Sequence, residues 1–252
     1  MSTNINWKGP EINSKGLVFY SDIGSPNSYY GESTVYDLMS RYVGSFTGSI
    51  AYTGSNDGFV CVSNNVGVAA RIGVGTQLND IFYTTSSKFT IQTAVRFNTF
   101  SNANAPYGCV LFGNMYDNLV YGGIQFRVSA DAYPGVYLVT YDGGASYMYK
   151  FHANELSTGI WYLLSLVYEG TGITDGIKLY VNGALTTGSF NEGTNGSINS
   201  FYSTEPYYIG SSTNVTPGQM DGDFALMQIY NRALSSDEIY NNYTQYKSRF
   251  GI

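Results

Sequence analysis

Few residues of this chain carry groups able to make or break bonds, and those few stand apart. Hydrolysis of a glycosidic bond needs two carboxylates, and on a sheet they sit at alternate positions of a strand so that both reach one cleft. Asp221 and Asp223 share a face by two-residue spacing, but a sole pair at a strand entrance caps a turn or holds a cation. Glu11, Glu32, Glu155, Glu169, Glu192, Glu205 and Glu238 are isolated. The only histidine, His152, ends the run Tyr149-Lys150-Phe151-His152. Without a partner to orient it, it reads as a surface or hydrogen-bonded side chain rather than a general acid or base. Cys61 and Cys109 sit in apolar runs and read as buried free thiols, and no serine or cysteine has a base motif beside it. These residues predict a protein that is not an enzyme.

Tyrosine points elsewhere. Its 25 copies supply large, stiff, amphipathic surfaces suited to partners and to sugar stacking. If sugar is bound, the rings to examine are those near loops: Tyr133, Tyr141, Tyr147 and Tyr207. The competing reading is that they pack on strands, as β-propensity favours.

The elements that must position these side chains are strands. Thirty Gly and six Pro, with Ser, Thr and Asn between short apolar runs, describe frequent turns, and the pattern predicts a β-sandwich of packed antiparallel sheets. Leu17 and Phe19 alternate with Val18 and Tyr20. Trp161 to Tyr168 is apolar on both faces and predicts a strand covered on both sides. Ile177 to Val181 runs into Asn182-Gly183, the pair a type I′ hairpin turn demands. Further strands are expected at Gly58 to Val62, Val66 to Ile72, Phe89 to Phe97, Cys109 to Phe112, Ile124 to Val128, Val136 to Tyr141, Tyr147 to Phe151 and Tyr207 to Ile209. Ser189 to Ser203, rich in Asn, Gly and Ser, reads as a long surface loop. The polar stretch from residue 1 to 15 is an arm for a neighbouring subunit or a frayed terminus, and 16 to 252 reads as one domain.

The clearest local signal closes the chain. Ser235 is a natural N-cap, Glu238 completes a capping box, and Leu234 and Ile239 stand where a hydrophobic staple packs. Ile239, Tyr243 and Tyr246 share a face, and Lys247 and Arg249 approach the negative end of the helix dipole before Gly251.

This ending, Ile229 to Ser235 with Glu238-Ile239, Asn242-Tyr243 and Lys247 to Gly251, resembles the terminus of concanavalin A-like, laminin-G-like jelly rolls, notably those of bacteriophage structural proteins. Gly16 to Asp22, Tyr36 to Ser40, Phe89 to Phe97, Trp161-Tyr162 and Leu179 to Gly183 resemble other elements of the family in the same order. The resemblance implies an all-β, two-sheet antiparallel jelly-roll sandwich with a short C-terminal helix. It also implies a structural calcium, with Asn56 and Asp57 in an early loop and Asp221 and Asp223 before the last strand as oxygen ligands. Relatives often carry an acidic residue inside that strand, where Ala225 and Leu226 stand here. Asn56 and Asp57 otherwise read as an Asx-type turn.

In function, the resemblance implies a virion structural protein displayed on a phage particle as a capsid decoration or fibre domain. It would contact other virion proteins or copies of itself, and host cell-surface glycans. A carbohydrate-binding adhesin is the alternative, and a hydrolase or lyase the least favoured. Composition narrows the partners. Charged residues make up 12% of the chain, about half of the ~25% usual for soluble domains, and the net charge is −6. Scattered Lys and Arg cannot displace counterions along a nucleic acid. No apolar run reaches the length of a membrane span, and no signal-peptide stretch opens the chain, so synthesis in a host cytoplasm is expected.

Overall fold

A computed structural model describes residues 11–47, 50–52, 60–62, 71–101, 108–115, 122–141, 145–212 and 218–252. Within them the strands are β1 (Leu17–Asp22), β2 (Thr34–Tyr36), β3 (Val43–Thr47), β4 (Ile50–Tyr52), β5 (Val60–Val62), β6 (Arg71–Gly75), β7 (Phe89–Thr99), β8 (Gly108–Gly113), β9 (Gly123–Ser129), β10 (Pro134–Tyr141), β11 (Ala145–His152), β12 (Trp161–Tyr168), β13 (Ile177–Val181), β14 (Ala184–Leu185), β15 (Ser189–Asn195), β16 (Tyr207–Ile209) and β17 (Asp221–Tyr230). Helix α1 (Ser236–Phe250) closes the chain.

All pairings between these strands are antiparallel. One sheet of eight strands runs β14-β13-β12-β7-β17-β5-β4, with β1 also paired to β17, and a second of nine runs β15-β11-β10-β9-β8-β16-β6-β3-β2. The expected sandwich is therefore present. Its core lies between the sheets. Phe89, Ile91, Leu164, Leu166, Tyr168 and Phe224 meet Phe112, Phe126, Val128, Val136, Leu138 and Met148 there.

Strand β12 is buried on both faces, as its all-apolar pattern predicts. Leu164, Leu166 and Tyr168 enter the core, while Leu163 packs with Ala94, Ala225 and Leu226 beneath Tyr246 and Phe250 of α1. The helix starts where the sequence places it: Ser235 Oγ accepts from the Glu238 N–H and the Glu238 carboxylate accepts from the Ser235 N–H. Leu234 and Ile239 share one cluster, and Gly251 ends the helix at φ 69°. Asn182 and Gly183 both have positive φ, 50° and 77°, at the β13–β14 hairpin.

The stretch read as a loop from Ser189 contains a strand instead. β15 pairs with β11 from Tyr147↔Asn195 to His152↔Ser189. Six of its seven residues are exposed and Gly193 is half-buried, so it has no apolar alternation to announce it. The backbone edge of β11 recruits it. Of the expected arm, Asn13 is fixed on the chain's own helix, where its N–H and side-chain amide both donate to Asn242 Oδ1, at 3.0 and 3.1 Å. Residues 1–10 lie outside the described residues.

Candidate functional site

The outer faces of the two sheets differ in kind. That of the eight-stranded sheet is covered by α1. That of the nine-stranded sheet carries no helix among the described residues, and the alternation of β10 and β11 aims aromatic rings out of it. Along β11, Tyr147 and Tyr149 are half-buried and face outward, and Phe151 lies on the same side but is buried under its neighbours, while Met148 is buried in the core on the other side. Along β10, Tyr137 stands opposite Tyr149 in register.

These rings touch. Tyr137 stacks on Tyr149 with centroids 5.3 Å apart, Tyr149 meets Tyr147 at 6.1 Å, and Phe151 meets Tyr137 edge-on at 5.5 Å. Two glycines make room for them. A Cβ at Gly135 would collide with the Phe151 ring, and one at Gly193 would press on the Tyr149 ring. At the end of the strip, the register shift between Phe151 and His152 skips Phe190 in the β11–β15 ladder. Phe190 is half-exposed and stacks on Tyr133, centroids 4.0 Å apart and planes 21° from parallel.

Polar groups accompany the rings. Tyr149 OH donates to Asn191 Oδ1 (3.2 Å), and the Arg127 guanidinium lies 5.9 Å from the Tyr137 ring centroid while donating to Gln125 (2.9 Å). Burial lowers the Arg127 pKa and raises that of the Tyr137 phenol. Beyond the Tyr133–Phe190 pair opens a groove of about 810 Å³ bounded by Phe100, Asp131, Glu155 and Thr158. Flat rings beside hydrogen-bonding amides, hydroxyls and carboxylates can stack on the C–H face of a pyranose while holding its hydroxyls.

Of the residues singled out from sequence, Tyr133 and Tyr147 belong to this strip. Tyr207 does not. It is fully buried, stacked on Phe112 at 5.3 Å with its OH donating to Asn79 Oδ1 (3.1 Å), so it is a core residue and cannot meet a ligand. Tyr141 ends β10, but its side chain lies outside what is described. Tyr137, Tyr149 and Phe190 are the rings that sequence reading passed over. The alternation of Tyr147, Tyr149 and Phe151 was the signal for Tyr149. Nothing local marked Phe190, since a bulge presents it.

His152 is neither surface nor hydrogen-bonded, contrary to expectation. It is 5% exposed, and neither ring nitrogen has a hydrogen bond among the described residues. Cys109 is buried and free, as expected, and burial raises its thiol pKa to about 11. The Cys61 side chain lies outside what is described.

The proposed calcium ligands are not gathered as a bare oxygen cage. Asp223 Oδ2 is taken by Arg96, at 2.7 Å from Nε and 2.5 Å from Nη2, and Asp221 Oδ1 accepts from Asn98 (3.0 Å). A guanidinium where the cation would sit does not fit that site. Asn56 and Asp57 lie outside the described residues, and among those described no group of three or more His, Cys, Asp or Glu is placed to hold a metal.

An antiparallel sandwich with one broad face sealed by a terminal helix and the other lined with rings beside a groove is a lectin/glucanase-like β-sandwich. Residues 73–240 match the concanavalin A-like lectin/glucanases superfamily, and the chain belongs to that family. No curated protein sequence matches it. Among solved structures it is similar to domain 4 of AbnA, a GH43 extracellular arabinanase from Geobacillus stearothermophilus, in complex with arabinotriose (TM-score 0.59, 14% identity, covering 89% of this chain and 97% of that one). It is also similar to the binding domain of Paraclostridial Mosquitocidal Protein 1 (TM-score 0.62, 16% identity, 92% and 52%). A third is Trypanosoma rangeli sialidase in complex with the inhibitor DANA (TM-score 0.57, 16% identity, 92% and 33%). The chain thus spans about half of the toxin domain and a third of the sialidase. At such identities the likeness is one of fold alone.

Proposed function

We propose that this chain is a non-enzymatic carbohydrate-binding module whose glycan lies along the strip from Tyr147 through Tyr149 and Tyr137, with Phe151 packed beneath them, to the Tyr133–Phe190 groove. The observation that carries this reading is the strip itself: aromatic side chains projected from one face of β10, β11 and β15 with amide and hydroxyl groups beside them. The arabinotriose complex of the arabinanase domain lends it support. A binding role suits the carboxylates too. Asp22, Asp223, Glu169, Glu192 and Glu238 are each paired with a base, and Asp131 and Glu155 are exposed, without the apolar shield that keeps a general acid protonated.

A glycan array probed with the wild-type chain, Tyr149→Ala and Tyr133→Ala tests it. Loss of about tenfold in affinity per ring, ~1.4 kcal/mol, is expected with an unchanged unfolding midpoint. Undiminished binding in both variants sinks the reading.

The setting we propose is the surface of a bacteriophage particle, where the module serves as a capsid decoration or fibre domain held by contacts with other virion proteins or with copies of itself. The likeness of Ile229 to Ser235 and the helix that follows to phage structural proteins supports it. Mass spectrometry and imaging of purified particles should find the chain in stoichiometric amount on the surface, and its absence would remove that setting.

A further inference from the structure

Two loops wall the groove at the end of the aromatic strip: the turn from Ser129 to Tyr133 that leads into β10, and residues 153–160 between β11 and β12. They are tied together. The Leu156 N–H donates to the Ala132 carbonyl at 3.0 Å, and Leu156 itself is anchored in the core. Within the turn, the Ser129 N–H donates to the Tyr133 carbonyl at 2.8 Å and the Tyr133 N–H to Ser129 Oγ at 3.1 Å. Ala132 is held at φ 67°, a left-handed conformation that a residue with a Cβ keeps only when its surroundings fix it.

Asp131 and Glu155 each adjoin one of the two bonded residues, so the tied loops bring both carboxylates to one groove, where both are exposed. Unlike the carboxylates paired with a base elsewhere, neither forms an ion pair among the described residues, and no Lys, Arg or His among them lines the groove. Tyr133, Phe190 and Phe100 share its walls. Phe190 gives one face to Tyr133, and its 50% exposure leaves the other open. Two ionised carboxylates on one groove repel an anion, and a neutral hydroxyl answers neither charge. Rings beside carboxylates favour an organic cation, whose charge the ring face attracts and whose N–H groups the carboxylates accept. A bare metal ion is disfavoured, because the rings take the place of the oxygens it requires.

Resting on the carbohydrate-binding reading, we propose that this groove is an ammonium subsite, selecting a glycan that carries an unacetylated amino sugar where it passes the Tyr133–Phe190 pair. The sugar's ammonium is held by Asp131 and Glu155 against the open face of Phe190, and the rest of the glycan continues over Tyr137 and Tyr149. The Thr158 hydroxyl on the wall offers a hydrogen bond to a ring hydroxyl of the same sugar.

The full chain is titrated by calorimetry with a glucosamine trisaccharide and with its N-acetylated counterpart, at about pH 6, where amines are protonated and carboxylates ionised. The free amine should bind about tenfold more tightly, an advantage that shrinks with added salt. In the double variant Asp131→Asn, Glu155→Gln the two affinities should come together. Their ratio is taken on one preparation, so a partly unfolded fraction does not alter it. Glu11→Gln with Glu32→Gln removes the same charge from exposed positions elsewhere and should keep the full advantage. No binding of the glucosamine trisaccharide overturns the proposal. So does an advantage that survives the double variant, one lost equally in the Glu11 and Glu32 control, or binding as tight by trilysine, for which charge alone suffices. Failure of the strip reads differently: Tyr149→Ala would then leave neutral glycans bound undiminished. If Tyr149→Ala weakens them while the amine has no advantage, the subsite alone falls.

Discussion

Glu238 and His152 are perturbed in the same direction for opposite reasons, and each leaves a mark on stability. The Arg232 fork, with both contacts at 2.7 Å, together with the capping bonds to Ser235, holds the Glu238 pKa down to about 2. Its carboxylate therefore contributes stability above the ordinary value of 4.5 that is lost as pH falls towards 2. His152 has its pKa lowered to about 4 by burial, so between pH 6.5 and 4 the unfolded chain binds the extra proton and stability falls with acidification. Urea unfolding followed against pH should show both windows. His152→Phe should abolish the upper one and Glu238→Gln the lower, while Ser235→Ala costs about 1 kcal/mol at neutral pH.

At the scale of elements, strand ladders and their irregularities decide which side chains arrive together. The closing strand β17 pairs with β7 along its length but shifts register between Asp221 and Gly222. Gly222 has φ 155°, and a Cβ there would strike the Arg96 carbonyl of β7. Gly222→Ala should lower stability by about 2 kcal/mol or more, read as a reduced urea midpoint at constant m-value. The long strands were legible because their apolar pattern is strong: β7 runs two residues past the expected Phe97, and β8 one residue past each end of the expected Cys109 to Phe112. Strands β2, β3, β4 and β15 were not, being short or exposed, with pairing supplied by a neighbour's edge rather than by their own pattern.

For the molecule as a whole, α1 is what makes the two sheets unequal. Beneath it a buried polar chain runs from Ser165 through Gln92, Asn242, Tyr230, Gln228, Tyr246 and Tyr20 to Asp22, each linked to the next by a side-chain hydrogen bond. Arg249 closes it with two bonds to Asp22, at 2.8 and 2.9 Å. Asp22 has a side chain 1% exposed, so Arg249→Ala strands a buried charge and should cost about 3–5 kcal/mol by chemical denaturation. Removing residues 236–252 would bare Leu163, Ala225 and Leu226, and the truncated chain should bind a hydrophobic dye and aggregate.

By itself, the sequence determined the β-sandwich, its central strands, the β13–β14 hairpin and the capped closing helix, because alternation, turn residues and caps act over a few neighbours. Only the tertiary structure decided that Tyr207 is core while Tyr133 meets Phe190, that Asp223 belongs to Arg96, and that His152 is buried unbonded between sheet edges. Those outcomes depend on register between strands distant in the chain, and a shift of one residue turns a side chain to the opposite face.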